Sequence, residues 1–386
     1  MKLGVSCNVM KHSGGMERYA RDLARGIAER GFRPAYFARN LDHALPEYAM
    51  VEPHRINVSF LPGKLRDAWF SWRLRRAKRI ADVDVMIGCN RVDSSDIAVC
   101  GGTHRGFLRA TGRRPKLTDR WQIALEERLY ANAAIILAHS PLMRDELIEL
   151  YGIDEARLRI LRPPVDTARF TPVDTAARAS LRKRLGFQDN ECVLLFPSSS
   201  HMRKGLPLIE AAVRDLKESV VVAVAGRPVA SISPHVRYIG FQREIEDCYR
   251  AADFTILASA YEPFGLVGIE SVMCGTPVII PSTMGCCDVI ATHAKHVFER
   301  GDVQSLRETI RSAIASRFVV NGQPMRENHN ENGEAVLYDA SVAGHVDSLL
   351  SLASQVHTGW GISAVGALRG VASTLGLSAA VNPRSH

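Results

Sequence analysis

The sequence predicts an α/β protein built from two Rossmann-like halves, each with a parallel sheet. Three observations lead there. Short apolar runs alternate with amphipathic helical stretches from the first residues onward. The alternation breaks at Arg162-Pro-Pro-Val and starts again at Val193. At 386 residues the chain also exceeds one core, and a domain size of about 150 residues points to two or three domains.

Residues 3–7 read as a short buried strand, 8–15 as a polar loop ending in glycine, and 16–30 as a helix. Ala20, Leu23, Ala24, Ile27 and Ala28 recur on its 3.6-residue period, and Gly31 ends it. A strand over 34–38 completes a β-α-β unit, the signature of a parallel sheet. Strands follow at 83–87, 97–100, 134–138 and 158–161, with a helix over 141–151 capped by Ser140. Residues 162–175 are the linker. The second series places strands at 193–196, 220–225, 237–239, 254–257 and 278–280, with a last helix from 342. The expected division is 1–165, 166–341, a closing helix over 342–356 and a tail over 357–386. That tail, rich in Gly, Ala and Ser, reads as either disordered or a weak interfacial helix.

A hydrophobic content of 46% with 23% charged residues is globular composition. The eight cysteines have no C-x-x-C spacing and lie mostly in apolar runs, so buried thiols of a reducing compartment are expected; the pair Cys286-Cys287 has no explanation at this level. The first residues lead straight into a strand without a secretory h-region, and nothing before residue 357 is apolar enough to span a bilayer. A cytoplasmic protein is expected. The net charge of +8 suits an acidic partner: nucleic acid, an anionic membrane or a phosphorylated acceptor.

Glu262 and Glu270 bracket a turn, Tyr261-Glu-Pro-Phe-Gly-Leu, between a strand and a helix. Pro263 keeps Glu262 in the loop and leaves Glu270 about one turn into the helix. Phe264, Gly265 and Leu266 would present backbone N–H groups to a phosphate, with the helix dipole in support. The geometry suits a nucleotide sugar, with Glu262 on sugar hydroxyls, the N–H groups on the diphosphate and Glu270 on the ribose. Arg203 and Lys204 stand where another helix begins, a place already electropositive, so an anion is expected between them. Gly14-Gly15 is a strand-to-helix turn that either approaches a ligand or is simply tight. His104 follows a strand in Cys100-Gly-Gly-Thr-His-Arg-Gly106.

Glu262, Pro263, Phe264, Gly265 and Glu270, followed by Gly275-Thr-Pro-Val, resemble the Glu-x7-Glu signature of retaining family 4 glycosyltransferases. Gly14-Gly-Met-Glu-Arg-Tyr-Ala-Arg-Asp-Leu-Ala resembles the first loop and helix of that family, and Arg203-Lys-Gly its basic pair. The resemblance spans nearly all of residues 1–356 and is strongest to lipopolysaccharide core glucosyltransferases around residues 87–107 and 196–205. It implies the GT-B fold, with an acceptor-side first domain and a nucleotide-sugar-binding second domain. It further implies that Gly14 and Gly15 face the donor diphosphate, that His104 contacts the donor sugar, and that Arg203 and Lys204 neutralise the leaving nucleoside diphosphate. One departure is Ser199, where many members carry a Gly-Arg.

The expected activity is transfer of a hexose from a UDP-linked sugar to a lipopolysaccharide core or related glycan or glycolipid, with retention. Rival expectations are a capsule or exopolysaccharide enzyme of the same family and a non-catalytic nucleotide-sugar-binding protein. No Asp-x-Asp cluster is read as a metal site, so no metal and no cofactor is expected. Trp69, Phe70 and Trp72 interleave with Arg73, Arg75, Arg76, Lys78 and Arg79 over residues 65–80. This segment is either a core-packed surface helix or a face resting on the anionic inner surface of the membrane. No nucleic-acid partner is expected, since no recognition module accompanies the patch.

Overall fold

The computed structural model describes residues 1–12, 14–216, 218–230, 233–316 and 334–359. Two all-parallel sheets form its frame. The first has seven strands in the order Glu52–Arg55, Ala35–Ala38, Leu3–Ser6, Val85–Gly88, Ile97–Cys100, Ile135–Ala138 and Leu158–Ile160. The second has six: Val236–Tyr238, Val220–Gly226, Cys192–Ser198, Phe254–Ile256, Val278–Pro281 and Lys295–Phe298. These are the two Rossmann-like domains of the predicted fold class. Central strands such as Val220–Gly226 are buried on both faces, which is why they read as unbroken apolar runs.

In each sheet the strand that comes first in sequence lies inside, flanked by later strands on both sides. That is a topological switch point, where ligands of such sheets bind beyond the carboxyl ends of the strands. In the second domain the two loops leaving it are 199–205, with Arg203 and Lys204, and 257–265, with Glu262.

The chain passes between the domains twice. Strand Leu158–Ile160 belongs to the first sheet, whereas Val165 and Phe170 lie in the second core. Val165 donates its N–H to the Ala340 carbonyl at 2.8 Å, so outgoing and returning segments are bonded to each other. Helix Val342–Thr358 then puts Val346, Leu349 and Ala353 into the first core. It packs against helix Gly15–Glu29, and Arg30 grips Asp347 through Nε at 2.8 Å and Nη2 at 2.9 Å. The helix runs to Thr358, past the expected boundary at 357, and stops at Gly359 with φ 73°. From residue 360 the expected tail lies outside the described residues.

Several elements were not foreseen. Strand Glu52–Arg55 contains Pro53, tolerated because this is the sheet edge, where one face of the ladder needs no donor. Helix Leu117–Asn132 exposes Leu117 and Trp121 and buries Asp119 and Glu126, and its pattern is weak for that reason.

The return helix is fixed by a buried polar chain. Tyr19 Oη lies 2.9 Å from His345 Nε2, and His345 Nδ1 lies 2.9 Å from the Arg162 carbonyl. The carbonyl only accepts, so Nδ1 carries the proton and Nε2 accepts from the tyrosine. His139 packs at a tilt beside Tyr19, 5.3 Å between centroids. Burial pulls His345 down to about 4; burial and then the neighbouring His345 pull His139 down to about 3. In the unfolded chain both protonate near pH 6.5. The unfolded state therefore binds more protons below that pH, and the stability these sites contribute is complete above about 6.5 and declines as pH falls toward 4. Urea unfolding between pH 8 and 5 should lose up to about 1.4 kcal/mol per pH unit for each histidine, and His345→Gln should flatten the slope. A stability that stays level across this range in the parent protein contradicts the assignment.

Candidate active site

The turn that carries Glu262 is pressed from both sides. Gly265, at φ 92°, is the N-cap of helix Leu266–Met273, a conformation that a Cβ would strain. Behind it, Gly285 donates its N–H to the Glu262 carbonyl at 3.2 Å, and a Cβ built on Gly285 overlaps the Pro263 carbonyl oxygen. Cys286 continues this wall: its Sγ lies 2.9 Å from the Cβ position of Gly268. The first cysteine of the unexplained pair is thus a packing group under the site helix. Phe264 points into the core and meets Tyr338 edge-on at 6.3 Å, and Leu266 is half-buried against the same core. What these two residues and Gly265 offer the cleft is backbone, because the first N–H groups of a helix have no partner within it.

Lys204 stands across the switch point. Its Nζ donates to the Pro197 carbonyl at 2.9 Å. Burial lowers its ammonium below the ordinary lysine range; Glu262 and Glu270 pull it back up, and Arg203 pushes it down. Lys204 therefore lies within electrostatic reach of both glutamates and of Arg203. Arg203 is exposed and makes no hydrogen bond or ion pair among the described residues.

Glu270 is only 5% exposed and already engaged. It accepts from Tyr249 Oη at 2.9 Å and, across the domain boundary, from Arg18 Nη2 at 2.5 Å. Arg18 lies in the first turn of helix Gly15–Glu29, whose N-cap is Gly14. The Gly14-Gly15 turn and Glu270 are thus joined through a side chain that sequence reasoning missed.

His104 opens helix His104–Thr111. Its Nε2 lies 2.9 Å from Asp119 Oδ1, and its backbone N–H donates to Glu126 Oε2 at 2.9 Å. The Lys116 N–H, then His104 and Arg113, hold the Asp119 carboxyl down at about 2. The neighbouring Thr103 reaches the second domain: its N–H donates to Tyr261 Oη at 3.0 Å, its Oγ1 donates to Glu146 Oε2 at 2.6 Å, and Tyr261 donates to the same Glu146 oxygen at 2.7 Å. Ser140, which caps helix Pro141–Tyr151, donates to the Pro263 carbonyl at 2.7 Å. His104 and Glu262 are each one residue away from the Thr103–Tyr261 contact. A cavity of about 230 Å³ there is lined by Arg109, Glu146, Tyr261, Glu262 and Arg300.

No group of three or more His, Cys, Asp or Glu side chains is placed to hold a metal ion among the described residues. Asp82-Val83-Asp84 is an Asp-x-Asp sequence that the reading above passed over. It precedes strand Val85–Gly88, at the end opposite the cleft, where Asp84 accepts from the Lys2 N–H at 2.6 Å.

Two facing Rossmann-like domains with the charged groups gathered between them define a GT-B fold. Residues 13–169 match the model of Glycosyltransferase Family 4 and residues 177–336 that of Glycosyl transferases group 1. A protein of Burkholderia thailandensis named as a probable transglycosylase is 63% identical over 355 residues, covering 92% of this chain and 97% of its own. D-inositol 3-phosphate glycosyltransferase 1 of Catenulispora acidiphila is 31% identical over 78% of this chain and 82% of its own. Among solved structures, WaaG, a glycosyltransferase involved in lipopolysaccharide biosynthesis, superposes with a TM-score of 0.73 at 18% identity over 92% of this chain and 98% of WaaG. HepE of Anabaena, solved with UDP-glucose, gives 0.70 at 16% over 91% and 99%. The chain belongs to the family 4 glycosyltransferases.

Gly285→Ala should destabilise the protein by about 1–3 kcal/mol through overpacking against the turn, whereas Gly15→Ala, whose Cβ meets no neighbour, should stay within about 0.5 kcal/mol. Guanidinium unfolding of both variants checks this; equal stability of the two removes the clamp from the account.

Proposed function

We propose that the cleft transfers a hexose from a nucleoside-diphosphate sugar, UDP-linked, to a lipopolysaccharide core or related glycan acceptor, with retention and without a metal. The observation that carries this is the mutual placement of Lys204, Glu262 and Glu270 around the unpartnered start of helix Leu266–Met273. The diphosphate would lie on those N–H groups, with Lys204 and the free Arg203 stabilising the charge that develops as the sugar leaves. Ribose hydroxyls would donate to Glu270 in the place Arg18 now holds. Glu262 would orient the sugar, and His104, steadied by Asp119, would face it from the first domain. Glu146 shares the cavity with Glu262, yet its Oε2 accepts from both Thr103 and Tyr261. With that carboxylate committed to the domain junction, a front-side displacement assisted by the diphosphate fits better than a covalent double displacement. The family membership, a neighbour involved in lipopolysaccharide biosynthesis and another solved with UDP-glucose support the same reading.

Lys204→Ala or Arg203→Ala should reduce kcat/KM by about 2–4 kcal/mol of transition-state stabilisation while leaving the fold intact. Turnover within a few fold of the parent rules out the assignment. A thermal-shift panel of UDP, GDP and ADP sugars identifies the base, since a ligand of the native state raises its apparent stability.

The same proposal places the enzyme on an anionic membrane. In helix Arg66–Ile80, Phe70 and Leu74 are core and Trp69 is half-buried, but Trp72 and Ile80 are exposed, as is nearby Phe60. Arg75 is held by Asp93 at 2.5 Å, so Arg73, Arg76 and Arg79 are the freer charges. Sequence reasoning missed a second patch, exposed Leu117 and Trp121 beside Arg113, Arg114, Lys116 and Arg120. The patches adjoin, since Gln122 Nε2 lies 3.4 Å from Asp67 Oδ2. No helix among the described residues is long and apolar enough to cross a membrane. Neutralising Arg73, Arg75, Arg76 and Arg79 together should weaken binding to anionic vesicles by about 1 kcal/mol per free charge, with transfer to a soluble acceptor retained. Unchanged, salt-insensitive vesicle binding makes the helix a purely structural one.

A further inference from the structure

A groove of about 830 Å³ runs along the outer margin of the first domain, between residues 53–57, at and just after the edge strand, and helix Arg66–Ile80. Its volume is that of a ligand cleft, for which about 300–1,000 Å³ is usual. Three arginines line it, Arg55 from the strand and Arg73 and Arg76 from the helix, and no carboxylate does. None of the three makes a side-chain hydrogen bond or ion pair among the described residues. The acidic groups of the two elements are engaged elsewhere: Glu52 by Lys2 at 2.7 Å and His54 at 2.9 Å, and Asp67 by Arg39. Phe60, Trp69 and Ile80 supply the apolar part of the lining. Phe60 is 62% and Ile80 74% exposed, and Phe60 meets Trp69 edge-on at 5.6 Å. Exposed apolar groups beside three cations without a counter-charge mark a contact for something that is itself both apolar and anionic.

We propose that this groove seats one anionic phospholipid of the membrane surface, its phosphate among Arg55, Arg73 and Arg76 and the upper part of its chains on Phe60, Trp69 and Ile80. The inference rests on the membrane placement proposed above and adds a discrete site to it. A planar guanidinium can meet two phosphate oxygens at once, and here guanidinium groups come from two different elements around one space. A helix lying flat on diffuse charge has no need of Arg55. A free phosphate would satisfy the arginines and leave Phe60 and Ile80 in water, whereas a phospholipid covers both. The strands are parallel, so Arg55 and the residues after it leave the first sheet at the same end as the loop from Ile97–Cys100 to His104. Four strand spacings of about 4.8 Å separate the two strands, which puts the groove roughly 19 Å along the sheet from that loop. A lipid held there anchors the acceptor side of the cleft at the bilayer, and a membrane-borne acceptor then reaches the cleft without leaving its lipid phase.

Calorimetric titration of the full chain with dihexanoylphosphatidylglycerol, kept below its micellar concentration, tests it. At about 0.15 M salt, screening over about 8 Å removes distant charges from the result. The lipid should bind one to one. Dihexanoylphosphatidylcholine, with the same chains and no net charge, and inorganic phosphate, with the charge and no chains, should each bind about tenfold more weakly or worse. Arg55→Gln and Phe60→Ser, both at exposed positions, should each weaken the anionic lipid by about fivefold or more, with melting curves verifying the fold. Arg79→Gln, on the same helix but outside the groove, should stay within about twofold. Absence of binding by the anionic lipid, equal losses in Arg55→Gln and Arg79→Gln, or equal affinity for inorganic phosphate each overturn the proposal. Sedimentation of the parent chain with phosphatidylglycerol vesicles separates this from the wider membrane reading. Pelleting without binding of the soluble lipid overturns the groove and leaves the membrane placement standing; binding of the soluble lipid without pelleting supports the groove and overturns the placement.

Discussion

The Pro263 carbonyl is the point on which the two domains and the site meet. From the first domain it accepts the Ser140 hydroxyl at 2.7 Å; from behind it is backed by Gly285, where no side chain fits. Because Pro263 also keeps Glu262 out of the helix, the position of this one peptide group sets where Glu262 and the first N–H groups of helix Leu266–Met273 lie relative to the first sheet. Tyr261 adds a second attachment through Glu146 and Thr103. Both first-domain anchors, Thr103 and Ser140, are helix N-caps at the carboxyl ends of strands. Docking and helix initiation thus use the same hydroxyls, so displacement of the turn would be felt in both first-domain helices.

The cleft carries two cations and two carboxylates from the second domain, and Arg18 adds a third cation from the first. Lys204 and Arg203 come from one loop, Glu262 from the next, Glu270 from the helix that follows it, and Arg18 from the other domain. The Arg18–Glu270 bond, with Glu270 buried, avoids a costly unpaired carboxylate. A ligand that donates to Glu270 replaces one donor by another while freeing a cation, so the exchange need not be expensive. The same pair is one of the contacts between the domains, so under the proposed function a ligand that displaced Arg18 would also alter that contact.

Much of the fold was legible because a strand covered by helices on both faces must be apolar throughout, as in Cys192–Ser198 and Val220–Gly226. Edge strands escape this constraint: Glu52–Arg55 and Lys295–Phe298, with a proline or charge in a half-buried run, were missed, whereas the edge strands Leu158–Ile160 and Val236–Tyr238 were still read from short apolar runs. In the site, Glu262, Glu270 and the Arg203-Lys204 pair could be nominated because each depends on a turn a few residues long. Their partners could not. Arg18 and Glu270 are 252 positions apart, Tyr261 and Glu146 115, and no local pattern ties them together. Cys286 shows the same limit from the packing side, since its role lies entirely in its nearness to Gly268. The basic segment around Trp121 was overlooked because its helix lacks a clear apolar stripe.

The central claim is that the start of helix Leu266–Met273 and the loop before Leu206 together receive a nucleoside diphosphate. Hydrogen–deuterium exchange with and without saturating UDP tests it most directly, because ligand contact slows the opening of the amides it covers. The account predicts added protection in peptides spanning 262–270 and 199–206, with those spanning 66–80 unchanged. Protection confined to other segments, or none at saturating nucleotide, would contradict it.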